Sequence, residues 1–246
     1  MNAYDIIGDI HGHHDKLTAL LAALGYEARG AGFRHPEGRR VVFLGDYIDR
    51  GPKIRETLHT VRAMVDAGDA LAIMGNHEWN ALNYHTRGRD GEWLRLHSEK
   101  NEHQHSATLN AFEGREEEWA EWLKWMAELP VALDLGGLRA VHAAWDDAEL
   151  ATLAGGSFAD REFLLACADK TTAENRAADR LMKGIEFRLP KGCAFHDKQG
   201  VRRTKARLRW WLENPAAATI RGLTFPDYGE LPDAAIDAET LPPIPG

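Results

Sequence analysis

The N-terminal third of the chain alternates between short apolar runs and segments with helical periodicity. The apolar runs have the length of buried strands and lie at residues 4–8, 40–45 and 70–74. Between them, leucines recur at helical spacing over residues 14–24, and a second helical segment covers residues 54–67, with Pro52 before it and Gly68 after it. This order of strands and helices predicts a parallel α/β sheet with right-handed crossovers.

The middle of the chain is predicted to be helical. Aromatic and apolar residues fall on one face of a segment from about Arg115 to Leu129, which indicates a packing face rather than a ligand site. Residues 131–135 and 138–143 then alternate as a hairpin does, around a Gly-Gly pair. Two or three short helices are expected to follow, up to about Met182.

The C-terminal part contains one further predicted strand, over residues 202–211, in which basic and apolar positions alternate. Its basic face comprises Arg203, Lys205, Arg207 and Arg209. That face is either solvent-exposed strand surface or a place to hold an anionic substrate. From Asn214 onward the chain is rich in Pro, Ala and Asp, so we expect an extended tail without regular elements.

Three short polar motifs stand at the ends of the three N-terminal strands. Residues 8–12 read GDIHG, residues 45–51 read GDYIDRG, and residues 75–78 read GNHE. Ligands of open α/β sheets gather at the carboxyl ends of the strands, and the glycines allow sharp turns there. The three turns are therefore predicted to converge on one site.

The side chains of these turns predict bound metal ions. Asp9 and His11 are one residue apart, so both can face the same way on an extended segment. A carboxylate with an imidazole favours Mn, Fe or Zn over Ca. Asp46 is placed to share its two oxygens between two ions, and Asn76 adds an amide oxygen. Two ions about 3.5–4 Å apart are the usual arrangement for displacement at phosphorus.

The same turns also contain the other groups that phosphoryl chemistry needs. His77 is placed to act as the acid for the leaving group, and Asp49 to hold its other ring nitrogen. Arg50 offers a planar fork that matches two phosphate oxygens. Residues of these three turns are therefore predicted to supply the metal ligands, the acid and the phosphate-binding cation.

The three motifs resemble those of the phosphoprotein phosphatase branch of the calcineurin-like metallophosphoesterases, which includes bacterial serine/threonine phosphatases. That family reads GDxHG, GDxxDRG and GNHE, and all three match without substitution. The resemblance implies a four-layer αββα sandwich over residues 1–213, followed by the tail of residues 214–246. It implies two divalent metal ions, with Mn expected and Fe, Zn or Ni as alternatives. It implies metal ligands at Asp9, His11, Asp46 and Asn76, the general acid at His77 with Asp49 behind it, and phosphate binding at Arg50.

A fourth segment and one departure complete the resemblance. VHAA at residues 141–144 is similar to the family's VHAG or CHGG segment, which implies a further ligand at His142. The family's late histidine has no counterpart, because the histidine after His142 is His196, which we expect in a surface turn. The resemblance therefore implies that the last strands of the second sheet are missing. A more weakly bound second ion, reduced activity and self-association through the exposed sheet edge are expected to follow.

Several functions remain open at this stage. The leading hypothesis is hydrolysis of phosphate monoesters, on a phosphoprotein or a small phosphoester, by attack of a metal-bridging hydroxide. Hydrolysis of dinucleoside polyphosphates is the second enzyme hypothesis, since the symmetrical hydrolases of that kind share the branch; they more often read GNHD, so Glu78 favours a monoesterase. Phosphodiesterases of the nuclease type usually carry a late GHxH pair, which this chain lacks. A metal-binding relative that has lost turnover is the non-enzyme alternative.

Composition restricts the partners. The net charge of −8 argues against nucleic acid as the main partner, although bound cations would still attract a phosphate. The chain has no apolar run of bilayer length and no basic, apolar secretory start. Its cysteines, Cys167 and Cys193, form no metal-type pair, so we expect reduced thiols in a cytoplasmic protein without membrane contact.

The rim of the site is harder to predict. Candidate rim residues are His13, Tyr47, Asn80, Tyr84, His85 and Arg87. Three further histidines lie in a polar stretch and are predicted to be surface residues: His97, His103 and His105.

Overall fold

The computed structural model describes residues 3–197, 200–237 and 241–244. The chain forms two compact units, Met1–Met182 and Lys183–Gly246. The units divide the chain earlier than residue 213, and the expected end of the catalytic domain at that position stays a prediction.

Strands and helices alternate through most of the first unit. In chain order they are β1 (Tyr4–Ile7), α1 (His14–Ala23), β2 (Glu27–Arg29), β3 (Gly32–Arg34), β4 (Arg40–Phe43), α2 (Ile54–Asp66), β5 (Ala70–Ala72), α3 (Asn76–Tyr84), α4 (Glu99–Ala111), α5 (Glu116–Ala127), β6 (Ala132–Asp134), β7 (Arg139–Val141), α6 (Asp147–Leu153), α7 (Arg161–Ala168) and α8 (Ala173–Lys183).

The central sheet positions the three motifs. β1, β4 and β5 are parallel, in the order β1–β4–β5, with Ile7 opposite Phe43 and Phe43 opposite Ala72. The three strands therefore end at one edge. Leu21 of α1 and Leu58 of α2 are completely buried with Phe43. The predicted parallel sheet and both of its helices are confirmed.

The predicted packing face of α5 and the predicted hairpin are also confirmed. Trp119, Trp122 and Met126 are buried along one face of α5. β6 and β7 pair antiparallel, with Leu133 opposite Ala140. α6, α7 and α8 supply the short helices expected before residue 183.

α3 and α4 were not predicted as individual helices. α3 begins at Asn76, inside the GNHE motif, where the strand-end glycine predicts a turn. α4 is polar, and its buried residues are His105 and Thr108. Because it presents no apolar stripe, hydrophobic periodicity does not reveal it. Its start is capped by Ser98, whose hydroxyl accepts the Asn101 N–H at 3.4 Å.

The second unit contains short strands and two helical turns. Its elements are β8 (Glu186–Arg188), β9 (Phe195–His196), β10 (Arg202–Arg203), β11 (Lys205–Leu208), a 3₁₀ turn at Pro215–Ala217, α9 (Ile220–Leu223) and β12 (Thr224–Phe225). β12, β11 and β8 form an antiparallel sheet in that order, and β10 pairs with β9.

The predicted strand over residues 202–211 is shorter and is broken at Thr204. Its two pieces have different partners, because β10 pairs with β9 whereas β11 pairs with β8 and β12. Within β11, Lys205 and Arg207 are exposed while Ala206 and Leu208 are buried. The predicted alternation is therefore confirmed over β11.

The expectation of no regular element after Asn214 is wrong. α9 and β12 lie in this segment, and β12 extends the sheet by pairing with β11. Two apolar residues three positions apart, Ile220 and Leu223, are buried and anchor the helical turn. Thr219 caps it by accepting the Gly222 N–H at 3.0 Å. Because this Pro-rich stretch contains so few apolar residues, its hydrophobic pattern is too short to predict the helical turn or the strand.

Two further findings concern membrane contact and thiol chemistry. Among the described helices, none has both the length and the apolar character needed to cross a bilayer. Cys167 and Cys193 are free, and burial raises the pKa of the Cys167 thiol to about 12. Cys167 is thus a core residue rather than a reactive thiol.

Candidate metal centre

The three motifs form loops that hold an unusual backbone. Four of their non-glycine residues have left-handed φ angles: His11 (47°), Asp46 (56°), Asp49 (69°) and Arg50 (67°). Each such residue costs about 1–2 kcal/mol, so the surrounding contacts must enforce it. The His11 N–H donates to the Asp46 carbonyl at 2.8 Å, and the Gly51 N–H donates to the His11 carbonyl at 2.8 Å. The first two loops are therefore tied together through their backbones.

The second and third loops approach too closely for side chains. A Cβ atom on Gly45 would lie 2.3 Å from the Gly75 nitrogen, and one on Gly75 would lie 2.4 Å from the Asp46 nitrogen. Gly45 also has a left-handed φ of 92°. These glycines bring the end of β4 against the start of α3.

We expect Gly45→Ala to lower the free energy of unfolding by about 2 kcal/mol or more, because it adds a backbone clash to the left-handed conformation. Urea denaturation measures this change. Gly68→Ala is the matched control, since Gly68 has a φ of 75° and its Cβ would meet nothing within 4 Å. Equal losses in the two variants would contradict the close approach as the cause.

Asp46 lies between two groups of donor atoms. Its Oδ2 is 3.5 Å from His11 Nε2, and Asp9 Oδ2 is 3.7 Å from the same nitrogen. Its Oδ1 is 3.6 Å from His142 Nε2, which is 3.0 Å from Asn76 Oδ1. The structure therefore brings all five predicted ligands together. Each oxygen of Asp46 faces a different histidine.

The histidines in this cluster present lone pairs to oxygen atoms. His11 Nδ1 donates to the Ile48 carbonyl at 2.8 Å, and His142 Nδ1 donates to the Leu44 carbonyl at 2.6 Å. In the neutral ring each Nε2 is then an acceptor facing carboxylate or amide oxygens. His11 Nε2 is buried and has no hydrogen-bond partner among the described residues. Acceptors that converge in this way fit a bound cation.

The negative charge of the carboxylates in this cluster also favours a bound cation. Burial opposes a charged His11, but the Asp9 carboxylate, the Ile48 carbonyl and the charge of Asp46 outweigh it and raise the pKa of His11. The His11 ring lowers the pKa of Asp9 against the opposing effect of burial. The site thus favours positive charge.

His77 lies beside this cluster and contacts a second carboxylate. Its Nδ1 is 2.5 Å from Asp49 Oδ2, and its Nε2 is 3.9 Å from Asp46 Oδ2. The exposed Arg50 places a guanidinium nitrogen 3.4 Å from His77 Nε2. The structure therefore brings together the predicted acid, its carboxylate partner and the predicted phosphate-binding cation.

A model of the family described as calcineurin-like phosphoesterase matches residues 4–183, a range that contains all three loops and His142. The chain belongs to the calcineurin-like phosphoesterase family. Its fold is of that type, as the motifs predicted.

Relatives of this calcineurin-like phosphoesterase match a limited segment. The asymmetrical bis(5'-nucleosyl)-tetraphosphatase PrpE of Halalkalibacterium halodurans is 45% identical over 74 residues, which are 30% of this chain and 30% of that protein. PrpE of Bacillus subtilis is 47% identical over 75 residues, 30% of this chain and 31% of that protein. The match thus spans about 30% of the length of these relatives. A solved cold-active protein tyrosine phosphatase of a psychrophilic Shewanella is similar over 74% of this chain and 55% of that chain, with 17% identity and a TM-score of 0.40.

Glu78, the last residue of GNHE, has a structural position in this calcineurin-like phosphoesterase. Its carboxylate is completely buried and accepts three backbone N–H groups, from Asp46 at 2.7 Å, Tyr47 at 2.8 Å and Gly75 at 3.0 Å. It thereby joins the second loop to the start of α3. These contacts do not bear on the choice of substrate, so the preference for a monoesterase that rests on Glu78 stays a prediction.

Two buried residues of α4 contact the site and escaped prediction. His105 was expected at the surface, but it is 5% exposed and its Nδ1 is 2.8 Å from Asp49 Oδ1. Thr108 is completely buried and donates to the same oxygen at 2.6 Å. Their spacing of three within a Ser-capped polar segment is the signal that could have found them. His103 is exposed, as predicted.

Other predicted positions differ as well. Tyr47 and Tyr84 were candidate rim residues, but both are buried, and the Tyr47 hydroxyl donates to the Ile73 carbonyl at 2.7 Å. The Tyr84 ring stacks on His97, with 3.7 Å between the ring centroids. His196 lies in β9 rather than in a turn. Its ring is exposed, as expected, and its Nδ1 is 2.8 Å from Glu230 Oε2.

Proposed function

We propose that this chain hydrolyses phosphoric esters with two divalent metal ions held by the loops after β1, β4 and β5. The observation that carries this proposal is the position of Asp46 between two sets of donors, with the buried lone pair of His11 Nε2 beside it. Membership of the calcineurin-like phosphoesterase family supports it.

The ligand sets follow from the distances. Asp9, His11 and Asp46 Oδ2 form one set, and Asp46 Oδ1, Asn76 and His142 form the other. Divalent ions there would supply Lewis acidity, which polarises the phosphoryl group and lowers the pKa of water. Carboxylate, amide and imidazole donors suit Mn, with Fe, Zn or Ni as alternatives.

The proton for the leaving group comes from His77 in this proposal. Asp49 Oδ2 accepts a hydrogen bond from His77 Nδ1, and the two atoms are 2.5 Å apart. The second proton of the charged ring is then carried at Nε2. From Nε2 it can be donated to the departing oxygen of the ester. Arg50 is exposed beside this nitrogen, where its guanidinium can bind two phosphate oxygens and orient the ester.

The substrate is proposed as a phosphate monoester, on a phosphoprotein or a small molecule. A dinucleoside polyphosphate is the second candidate, and the PrpE relatives named as bis(5'-nucleosyl)-tetraphosphatases support it. Both candidates present a terminal or bridging phosphoryl group to the same ions and to Arg50.

Substrate comparison tests the proposal. Metal-stripped protein with added Mn²⁺ is assayed on p-nitrophenyl phosphate, a phosphoserine peptide and diadenosine tetraphosphate. We expect turnover of a monoester, and His77→Gln should lower kcat on the phosphoserine peptide by about 100-fold, because the acid that protonates this poor leaving group is lost. His103→Gln, at an exposed position of α4, is the control and should keep full activity. Turnover of diadenosine tetraphosphate without turnover of either monoester would favour the second candidate.

A further inference from the structure

The buried carboxylate of Asp49 accepts more hydrogen bonds than its predicted role requires. Its Oδ2 accepts from His77 Nδ1 at 2.5 Å. Its Oδ1 accepts from His105 Nδ1 at 2.8 Å and from the Thr108 hydroxyl at 2.6 Å. Asp49, His105 and Thr108 are each at most 5% exposed. The oxygen that faces away from His77 is therefore held by two side chains of one helix.

Thr108 contacts Asp49 twice. Its hydroxyl oxygen accepts the Asp49 backbone N–H at 3.0 Å, while its proton is donated to Asp49 Oδ1. This closes a ring around a residue whose φ of 69° is left-handed. The hydroxyl thus fixes the backbone and the side chain of Asp49 together.

The ring of His105 is oriented from its other side. His105 Nε2 is 3.3 Å from His85 Nε2, which accepts the Trp119 indole N–H at 3.0 Å. Trp119 lies on α5 and His85 follows α3, so three helices meet around this ring. Burial, followed by the neighbouring rings of His105 and His97, lowers the pKa of His85 to about 4, which keeps it a neutral acceptor.

The hydrogen bonds also determine the charge of Asp49. Burial alone would raise its pKa, but the bonds from His105, His77 and Thr108 outweigh burial and hold its pKa well below its usual range. Asp49 therefore stays a carboxylate, and the His77 ring can donate Nδ1–H to it.

We propose that His105 and Thr108 are positioning residues that hold Asp49 so that it orients His77 as the proton donor. This inference rests on the proposed function, because it assigns the two residues to the acid of that reaction. Neither residue touches the expected substrate position. Both act through Asp49, as the outer partners of a metal-ligating histidine act through the ring.

Proton NMR of the metal-free protein gives a test that does not depend on turnover. The short hydrogen bond from His77 Nδ1 to Asp49 should give a low-field resonance, assigned by its loss in His77→Gln. We expect Thr108→Val, which keeps the shape but removes the hydroxyl, to shift or broaden that resonance. Thr108→Ser should retain it. Ser106→Ala is the control, since the Ser106 hydroxyl donates to the His103 carbonyl of its own helix.

Leaving-group dependence gives the catalytic readout. Phenolate needs a proton donor because phenols have a pKa of about 10, whereas p-nitrophenolate is a much better leaving group. Thr108→Val and His105→Gln should lose about 10-fold more kcat on phenyl phosphate than on p-nitrophenyl phosphate. Circular dichroism checks that each variant is folded. If His105→Gln does not fold, Thr108→Val alone provides the comparison of the two esters.

The outcomes separate the two proposals. An unchanged resonance in Thr108→Val, or equal losses on both esters, would overturn the positioning role. If the wild-type protein hydrolyses neither ester, the proposed function fails, while the resonance still decides whether His105 and Thr108 orient His77.

Discussion

Replacing Asp46 by Asn is expected to lower metal-dependent turnover by about 1,000-fold or more. The substitution keeps the shape of the side chain but removes the charge that both donor sets share, at 3.5 Å from His11 Nε2 and 3.6 Å from His142 Nε2. Loss of an outer partner of a single metal ligand costs about 10–100-fold, and in the proposed function Asp46 is a direct ligand in both sites. Initial rates on p-nitrophenyl phosphate at saturating Mn²⁺ measure the effect.

Thermal unfolding separates this cause from a loss of structure. Metal ions that bind the folded state stabilise it, so Mn²⁺ should raise the Tm of the wild type. In Asp46→Asn the Tm without metal should be retained and the increase on adding Mn²⁺ should be largely lost. Asp66→Asn is the control, because Asp66 is an exposed carboxylate paired with Arg62 on α2. A normal metal-dependent increase in Asp46→Asn would contradict the shared position of this carboxylate.

Replacing Glu78 by Gln is expected to lower the free energy of unfolding by about 3 kcal/mol. One of the two buried carboxylate oxygens becomes an NH₂ group that faces a backbone N–H, so at least one buried donor loses its acceptor. An unsatisfied buried group costs about 1–3 kcal/mol, and a hydrogen bond to a charged group contributes about 1.5–3 kcal/mol. Glu78 is completely buried, so water cannot take over these hydrogen bonds in the variant.

Urea denaturation followed by circular dichroism measures this loss. Glu121→Gln is the matched control, since Glu121 is exposed and its partner Lys124 is exposed as well. Such a surface pair contributes about 0–1 kcal/mol. A Glu78 variant as stable as the control would show that the three backbone N–H groups do not depend on this carboxylate.

The convergence of the three loops was predictable because it follows from strand order. Parallel strands that end together bring whatever follows them to one edge, and the polar motifs follow directly. Asp9, His11, Asp46 and Asn76 lie together for this reason. His142 joins them from the end of β7, which belongs to a separate antiparallel pair of strands. For the three motifs, the local sequence pattern and the order of the strands were sufficient to predict a common site.

The support behind Asp49 was not predictable in the same way. His105 and Thr108 lie on a polar helix with no apolar stripe, and their partner is 56 and 59 residues away in the chain. A buried polar contact between distant segments leaves no periodicity to read. The contacts of Glu78 were not predictable either, because a motif sequence does not show that one of its side chains accepts backbone N–H groups of another loop.

The short elements after residue 183 were missed because few residues define them. β12 is two residues long and α9 is four, and each depends on pairing or burial within its own unit. Single-sequence patterns need longer windows than these segments provide.

The most direct test of the metal-dependent phosphoesterase proposed here is restoration of activity by metal. The protein is stripped of metal with a chelator, shown to be folded, and assayed on p-nitrophenyl phosphate as Mn²⁺ is added back. The proposal predicts no turnover without metal and a saturable return of activity that Asp46→Asn lacks. Turnover that is independent of metal, or folded protein that stays inactive with Mn²⁺, Fe²⁺, Zn²⁺ and Ni²⁺ on every ester tested, would contradict it.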